Sequence, residues 1–307
     1  MSHFIFLGET VFFSVYDTRI HLMSSAEEIN SEERNSNVDG RLGIWKSLIR
    51  YRVLIFKLVK RQIADRYRGS LFGMLWTLAY PMMLLVVYTF VFGTVFRARW
   101  SGADTGHSQV EFAVILFVGL IVHSLFSEIL MSSPTLIIHN PQYVKKVIFP
   151  LEILSWVTLF NALFNAAVSL LVLLVFYFLV HGSLNLSILW LPVVLGPFAL
   201  LCIGISWLLS AITVYFRDII QMVGLLSSVL LFLSPIFYPV TALPEVIRGY
   251  IYLNPLTVII EQLRNIILWG QSPAWSVLLM YTVLALLVAW FGNWVFNRMR
   301  KGFADVI

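Results

Sequence analysis

Two ionisable side chains, His123 and Glu128, lie well inside an apolar run, at 110–133. An imidazole and a carboxylate at membrane depth are the residue types of a proton relay, since intramembrane charges mark ion paths or pair within the protein. Glu128 stands about a turn and a half from the end of its run that is assigned below to the cytoplasm, where a carboxylate reaches water. His123 reads as a hydrogen-bonded interior residue. Together they support at most a single relay. No nucleophile with a neighbouring base and no metal-spaced cluster occurs anywhere in the chain, so neither covalent nor metal catalysis is expected. The nearest approach to a phosphate-cradling loop is Gly40 to Ser47, and Trp45 occupies the place of its second glycine. Any fuel must therefore come from a partner, or there is none, and no cofactor is expected in this chain.

A second set of residues carries charge or caps at segment ends. Arg217 and Asp218 are adjacent in a tight return, suited either to pairing with another element or to snorkelling. Between 241 and 270 two apolar pieces are too short to cross a bilayer. Pro244 can open the first, and Asn254 with Pro255 can end it and cap the second, whose Glu261 and Arg264 share a face three residues apart. Irregular backbone at membrane depth needs protein or water around it, so this segment reads as a lid at the outer mouth of a pathway or as a plain external cap. Trp76, Tyr80 and Tyr88 recur at roughly four-residue spacing, and Phe232, Phe237 and Tyr238 gather beside Pro235 and Pro239. Aromatic faces with polar tips suit sugar rings better than small ions; packing between helices is the competing use.

The elements that hold these residues follow from composition. Of 307 residues 59% are hydrophobic and 12% charged, against about a quarter charged in soluble domains. Apolar runs at 70–96, 110–133, 151–180, 186–215, 219–240 and 274–296 predict an all-α integral membrane protein with six transmembrane helices. Seventeen of the 21 Lys and Arg lie before the first run, in the loops with Lys145, Lys146 and Arg217, or in the tail; the others are Arg97, Arg99, Arg248 and Arg264. Both termini are thus placed in the cytoplasm, and the basic excess is read as a topology signal in contact with membrane lipids rather than as a nucleic-acid footprint. Cys202, the single cysteine, sits in an apolar run and reads as a small core residue.

From 44 to 68 the helical period places Lys46, Arg50, Lys57, Arg61 and Arg68 on one stripe and Ile44, Leu48, Tyr51, Ile55, Leu58 and Val59 largely opposite. Such a helix lies along the membrane surface and runs on through Arg66 and Arg68 into the first span. In the loop 134–150, Asn140 is expected to cap, and Pro141 to start, a short helix that ends before Pro150 and Glu152. It reads as a docking peg or as an ordinary loop with positive-inside lysines. Residues 1–43 fit neither a signal peptide nor a span; they are expected to be a poorly ordered extension, or an over-long start with Met23 as initiator. The organised part is then an interface helix at 44–68 and a membrane domain at 69–307.

Several of these pieces, in this order, resemble the membrane subunit of type 2 ABC exporters, in the branch that exports lipid-linked polysaccharides such as O-antigen, capsule or teichoic acid. The resemblance runs from Ile44 to the C-terminus. It rests on Arg66-Tyr67-Arg68-Gly69-Ser70 with Gly73, Trp76 and Pro81, on Asn140-Pro141 with Lys145, Lys146 and Phe149-Pro150-Leu151-Glu152, on Tyr215-Phe216-Arg217-Asp218, on Ser234-Pro235 with Tyr238-Pro239, and on Asn254-Pro255. It implies a homodimer with two cytoplasmic ATPase subunits in a bacterial inner membrane and an undecaprenyl-linked glycan as substrate. The ATPase couplings would be Arg66, Arg68, Asn140, Tyr143, Lys145, Lys146 and Glu152. The pathway would be lined by Trp76, Tyr80, Tyr88, Phe232, Phe237 and Tyr238, and the exit gated around 241–270. A drug or small-lipid exporter of the same superfamily and an ion-driven carrier are the alternatives.

Overall fold

Apolar segments can satisfy their own backbone only as helices or closed sheets, and the described residues form helices and turns with no strand among them. The computed structural model describes residues 44–69, 72–73, 75–95, 108–145 and 149–307. The expectations for 1–43, Ser70, Arg97, Arg99 and Lys146 lie outside these.

The amphipathic stretch forms α1 (Ile44–Arg50) and α2 (Arg52–Tyr67). The predicted single helix is interrupted at Tyr51, whose backbone leaves the helical region (φ −103°, ψ 17°) while keeping bonds of 3.1 and 2.9 Å to the turns on either side. Tyr51 and Ile55 are buried, with Leu48, Leu58 and Val59 half-buried beside them. This is the expected inner stripe, and α2 packs on the third span through it.

Five helical segments are long and apolar enough to cross a membrane. The first is α3 (Leu75–Tyr88) with its π-helical continuation Thr89–Val95; α4 (Ser108–Ser132) follows, then, after α5 (Pro141–Val144), α6 (Ile153–His181). The next joins a 3-10 turn (Leu186–Trp190) to α7 (Leu191–Tyr215), and the last is α11 (Trp275–Met299) running into a 3-10 turn (Arg300–Gly302) and α12 (Phe303–Val306). Of the predicted fifth span, 219–240, α8 covers only Ile219–Leu233, 15 residues, or about 22 Å against roughly 30 Å of hydrocarbon. Its stop is local. Ser234 precedes Pro235 and is extended (ψ 150°), as the proline ring requires.

The segment 241–270 has two unlike halves. A 3-10 turn (Val240–Ala242), α9 (Glu245–Arg248) and a second turn (Tyr250–Leu253) leave Val246, Tyr250 and Leu253 exposed. By contrast α10 (Pro255–Ile267) is buried almost throughout.

At the centre stands α4, where nearly every residue from Phe112 to Leu130 is buried; it touches α3, α6, α7, α8 and α10. Beside it α7 and α11 meet backbone to backbone. A methyl on Gly204 would lie 2.6 Å from the Ala289 α-carbon, and one on Gly292 would overlap the Gly204 carbonyl. Small residues facing one another let helices approach this closely where no water drives them together. At one end of the bundle Arg300 reaches the buried Glu152 carboxylate at 3.0 Å, Trp207 donates to the Glu152 carbonyl at 3.1 Å, and Phe303 is buried against Tyr215 and Phe296.

Candidate functional site

Glu128 is the point where three elements meet. Its Oε1 accepts from Arg66 Nη2 at 3.0 Å and from Asn165 Nδ2 at 2.9 Å, and its Oε2 accepts from Asn165 at 2.8 Å. The surface helix α2, α4 and α6 are thereby tied through one carboxylate. A turn below on α6, Asn161 donates to Gln62 of α2, so a second amide repeats the connection. His123 does not join this group: its Nε2 donates to the Ser227 carbonyl of α8 at 3.0 Å, next to a Ser127–Ser227 hydroxyl pair at 2.6 Å. It is the hydrogen-bonded interior residue expected, and no described hydrogen bond links it to Glu128 as a relay would need. Asn165 and Ser227 escaped the reading of the sequence. The signal for Asn165 was an amide in an otherwise apolar span, where polar side chains usually bond across helices.

Arg66, Glu128 and Asn165 border a cleft of about 250 Å³ that also takes in Trp76, Tyr80 and Thr77. Pro81 forms part of the same wall. It has no N–H to give the Thr77 carbonyl four residues back, so α3 is loosened where the cleft opens. Two of the three predicted span-one aromatics are therefore here. The third, Tyr88, belongs to a different set: its ring is 6.2 Å from Phe92, which lies 5.7 Å from Phe112 and 6.1 Å from Phe237, itself 6.0 Å from Phe232. Phe92 and Phe112, not foreseen, join the predicted members into one aromatic file across α3, α4 and the end of α8. Tyr238 turns away from it and donates to the carbonyls of Leu233 and Phe232 at 3.1 and 3.3 Å, closing the last turn of α8.

The end of α8 is locked to α10. Asn254 accepts from the Leu256 amide at 3.0 Å, the cap the sequence predicts, and donates to Ser234 Oγ at 2.9 Å. Arg264 is 2% exposed; it donates to the carbonyls of Pro235 at 2.7 Å, Ile236 at 3.0 Å and Ile115 at 3.1 Å. The first two are acceptors that the broken end of α8 leaves over, and the third belongs to α4. Glu261, three residues earlier, accepts instead from the Tyr252 hydroxyl at 3.0 Å. Burial holds its carboxyl above the ordinary carboxylate range, against the pull of Tyr252 and Arg264, and burial with the nearby carboxylate pushes Tyr252 up to about 12. At the far end of α10, Ser187 donates to the Ile266 carbonyl at 2.6 Å, Asn185 to Ile267 at 3.2 Å, and Tyr177 to Leu268 at 3.4 Å. A short helix inside a bundle thus has both ends satisfied by side chains.

At the opposite end of the molecule α5 forms as predicted behind Pro141, but its cap is corrected. Asn140 Nδ2 donates back to the Leu136 carbonyl at 2.8 Å, and no side chain caps α5. Tyr143 stacks on Phe149 with ring centres 4.3 Å apart. Lys145 and Arg68 are exposed, as are Arg217 and Asp218, between which no ion pair is formed among the described residues. Glu152 is buried and held by Arg300.

These features define a helical membrane protein whose surface helix is wired into its spans. Residues 53–268 match the ABC-2 type transporter family, and the chain belongs to it. It is 27% identical over 264 residues to the O-antigen export system permease protein RfbA of Myxococcus xanthus, covering 85% of this chain and 98% of that protein. A Klebsiella pneumoniae protein of the same name is 24% identical over 255 residues, covering 83% and 95%. The polysialic acid transport protein KpsM of Escherichia coli is 24% identical over 246 residues, covering 77% and 91%.

Proposed function

We propose that the protein is the transmembrane subunit of an ATP-driven ABC exporter that moves a lipid-linked polysaccharide outward across the bacterial inner membrane. The observation that carries this reading is the match over 91–98% of the length of proteins named for O-antigen export and polysialic acid transport. Phe232, 69% exposed at one end of the aromatic file, supports it, because an accessible ring face lets a glycan slide without fixed hydrogen bonds. In this reading α8 and the non-helical residues 234–239 together complete a sixth crossing, and both termini face the cytoplasm. The chain acts as a homodimer, with α3 and α8 of each copy forming the channel wall. Two ATPase subunits hold ATP and magnesium and meet the α5 loop at Tyr143, Lys145 and Lys146, and they act on α2. The residues 241–270 gate the exit, with Arg217 and Asp218 shaping the inner return.

Deletion of the gene tests the function directly: surface polysaccharide should disappear while lipid-linked glycan accumulates inside. Normal surface polysaccharide would overturn it. For coupling, replacing Tyr143, Lys145 and Lys146 with alanine should cut recovery of the ATPase with the purified membrane subunit by about tenfold or more. Undiminished recovery would remove the docking role.

A further inference from the structure

We propose that the cleft between α2, α3, α4 and α6 is a carbohydrate site within each copy, which holds one sugar ring of the substrate before it enters the channel. The proposal rests on the export reading above and adds to it a place and a set of recognising residues. A sugar hydroxyl both donates and accepts, so it is best met by acceptors and donors set side by side, with an aromatic face for the ring's C–H groups. The cleft offers this combination. Glu128 is a pure acceptor whose Oε2 has one described partner, Asn165, and an ionised carboxylate oxygen can take a second. Arg66 supplies donors beside it at 3.0 Å from Oε1. Trp76 and Tyr80 line the same space and keep 44% and 66% of their surfaces exposed. Thr77 Oγ is buried there without a hydrogen-bond partner, a condition that native structures rarely leave unanswered.

Size agrees. About 250 Å³ falls just below the roughly 300–1,000 Å³ of pockets for drug-sized ligands, which suits one ring and not a chain. A phospholipid headgroup is the other candidate class, and for an anionic one charge argues against it. A phosphate only accepts, and Glu128 would face it with like charge, whereas a neutral polyol satisfies both Glu128 and Arg66.

The test uses the full chain with its ATPase in cells that make the glycan. A photoreactive benzoylphenylalanine replaces Tyr80, and a control copy carries it at Leu171, exposed elsewhere on α6. After irradiation the purified subunit is analysed for attached glycan and attached phospholipid. The position-80 adduct should carry glycan and the position-171 adduct only phospholipid. Glu128→Gln should lower the glycan adduct by about tenfold, the loss expected for one charge-assisted hydrogen bond. Ser124→Trp, which fills the cleft from an exposed lining position, should abolish it with the protein yield unchanged. Phospholipid alone at position 80, or a glycan adduct that survives both substitutions, overturns the site. Either result leaves the export function standing if deletion of the gene still removes surface polysaccharide; normal surface polysaccharide after deletion would overturn the export reading itself.

Discussion

Arg264 shows what a single buried charge can hold in place. A guanidinium at 2% exposure is tolerable only because its fork meets three carbonyls at once. Arg264→Lys keeps the charge and loses the fork, so one nitrogen must replace the three that reach these carbonyls; we expect a fall in Tm of about 10 °C or more, with Arg264→Met no better. Thermal unfolding followed by size-exclusion fluorescence reads this, and a change under 2 °C would refute the role. Glu261 predicts a pH effect of definite sign. Its folded pKa is raised by burial, so its contribution to stability is present below the unfolded carboxylate pKa and is lost as pH rises through the folded value. The Tm of the natural protein relative to Glu261→Gln should therefore decline between pH 4 and pH 7, and a difference independent of pH would contradict this. The i,i+3 spacing of the two residues was visible in the sequence, but their separate fates were not. The acceptors of Arg264 lie 28, 29 and 149 positions away, a separation no local pattern encodes. Asn140 fails as a cap for a nearer reason: the carbonyl four residues back competes for its amide.

Among the elements, those defined by local chemistry were legible and those defined by contact were not. The inner stripe of α2 follows from helical period, and the start of α10 follows from Asn254-Pro255. The stop of α8 was also written locally, in Ser234-Pro235, but an apolar run reading through to Val240 masked it. Phe92 and Phe112 could not be singled out among 24 phenylalanines before α3 and α4 were brought together. The contact of α7 with α11 makes the sharpest prediction here. Gly204→Val forces a side chain onto the Ala289 backbone and should cost about 2–4 kcal/mol. Gly196→Ala, in the same helix with nothing within 4 Å, should be neutral or slightly stabilising. Equal stability of the two variants would show that the helices part freely.

For the whole molecule, the uneven distribution of exposed apolar surface is the informative quantity. Val86, Val87 and Phe90 on the first span and Met222, Leu225, Val229 and Phe232 on α8 are exposed, whereas most of α4 from Phe112 to Leu130 is buried. Lipid can cover such faces, and so can a second copy. The proposed homodimer predicts a two-copy mass in nanodiscs by mass photometry, reduced to one copy by Leu225→Arg with Val229→Arg. A single-copy mass for the natural protein would exclude it.

Cys202, with none of its surface exposed, settles a practical matter. It is the sole cysteine of the chain, and a water-soluble maleimide cannot reach a thiol enclosed between helices. Toward such reagents the natural protein already behaves as a cysteine-free background. A cysteine placed at Leu225, Tyr143 or Val246 can then be read alone, in a living cell, as an address on one side of the membrane or the other.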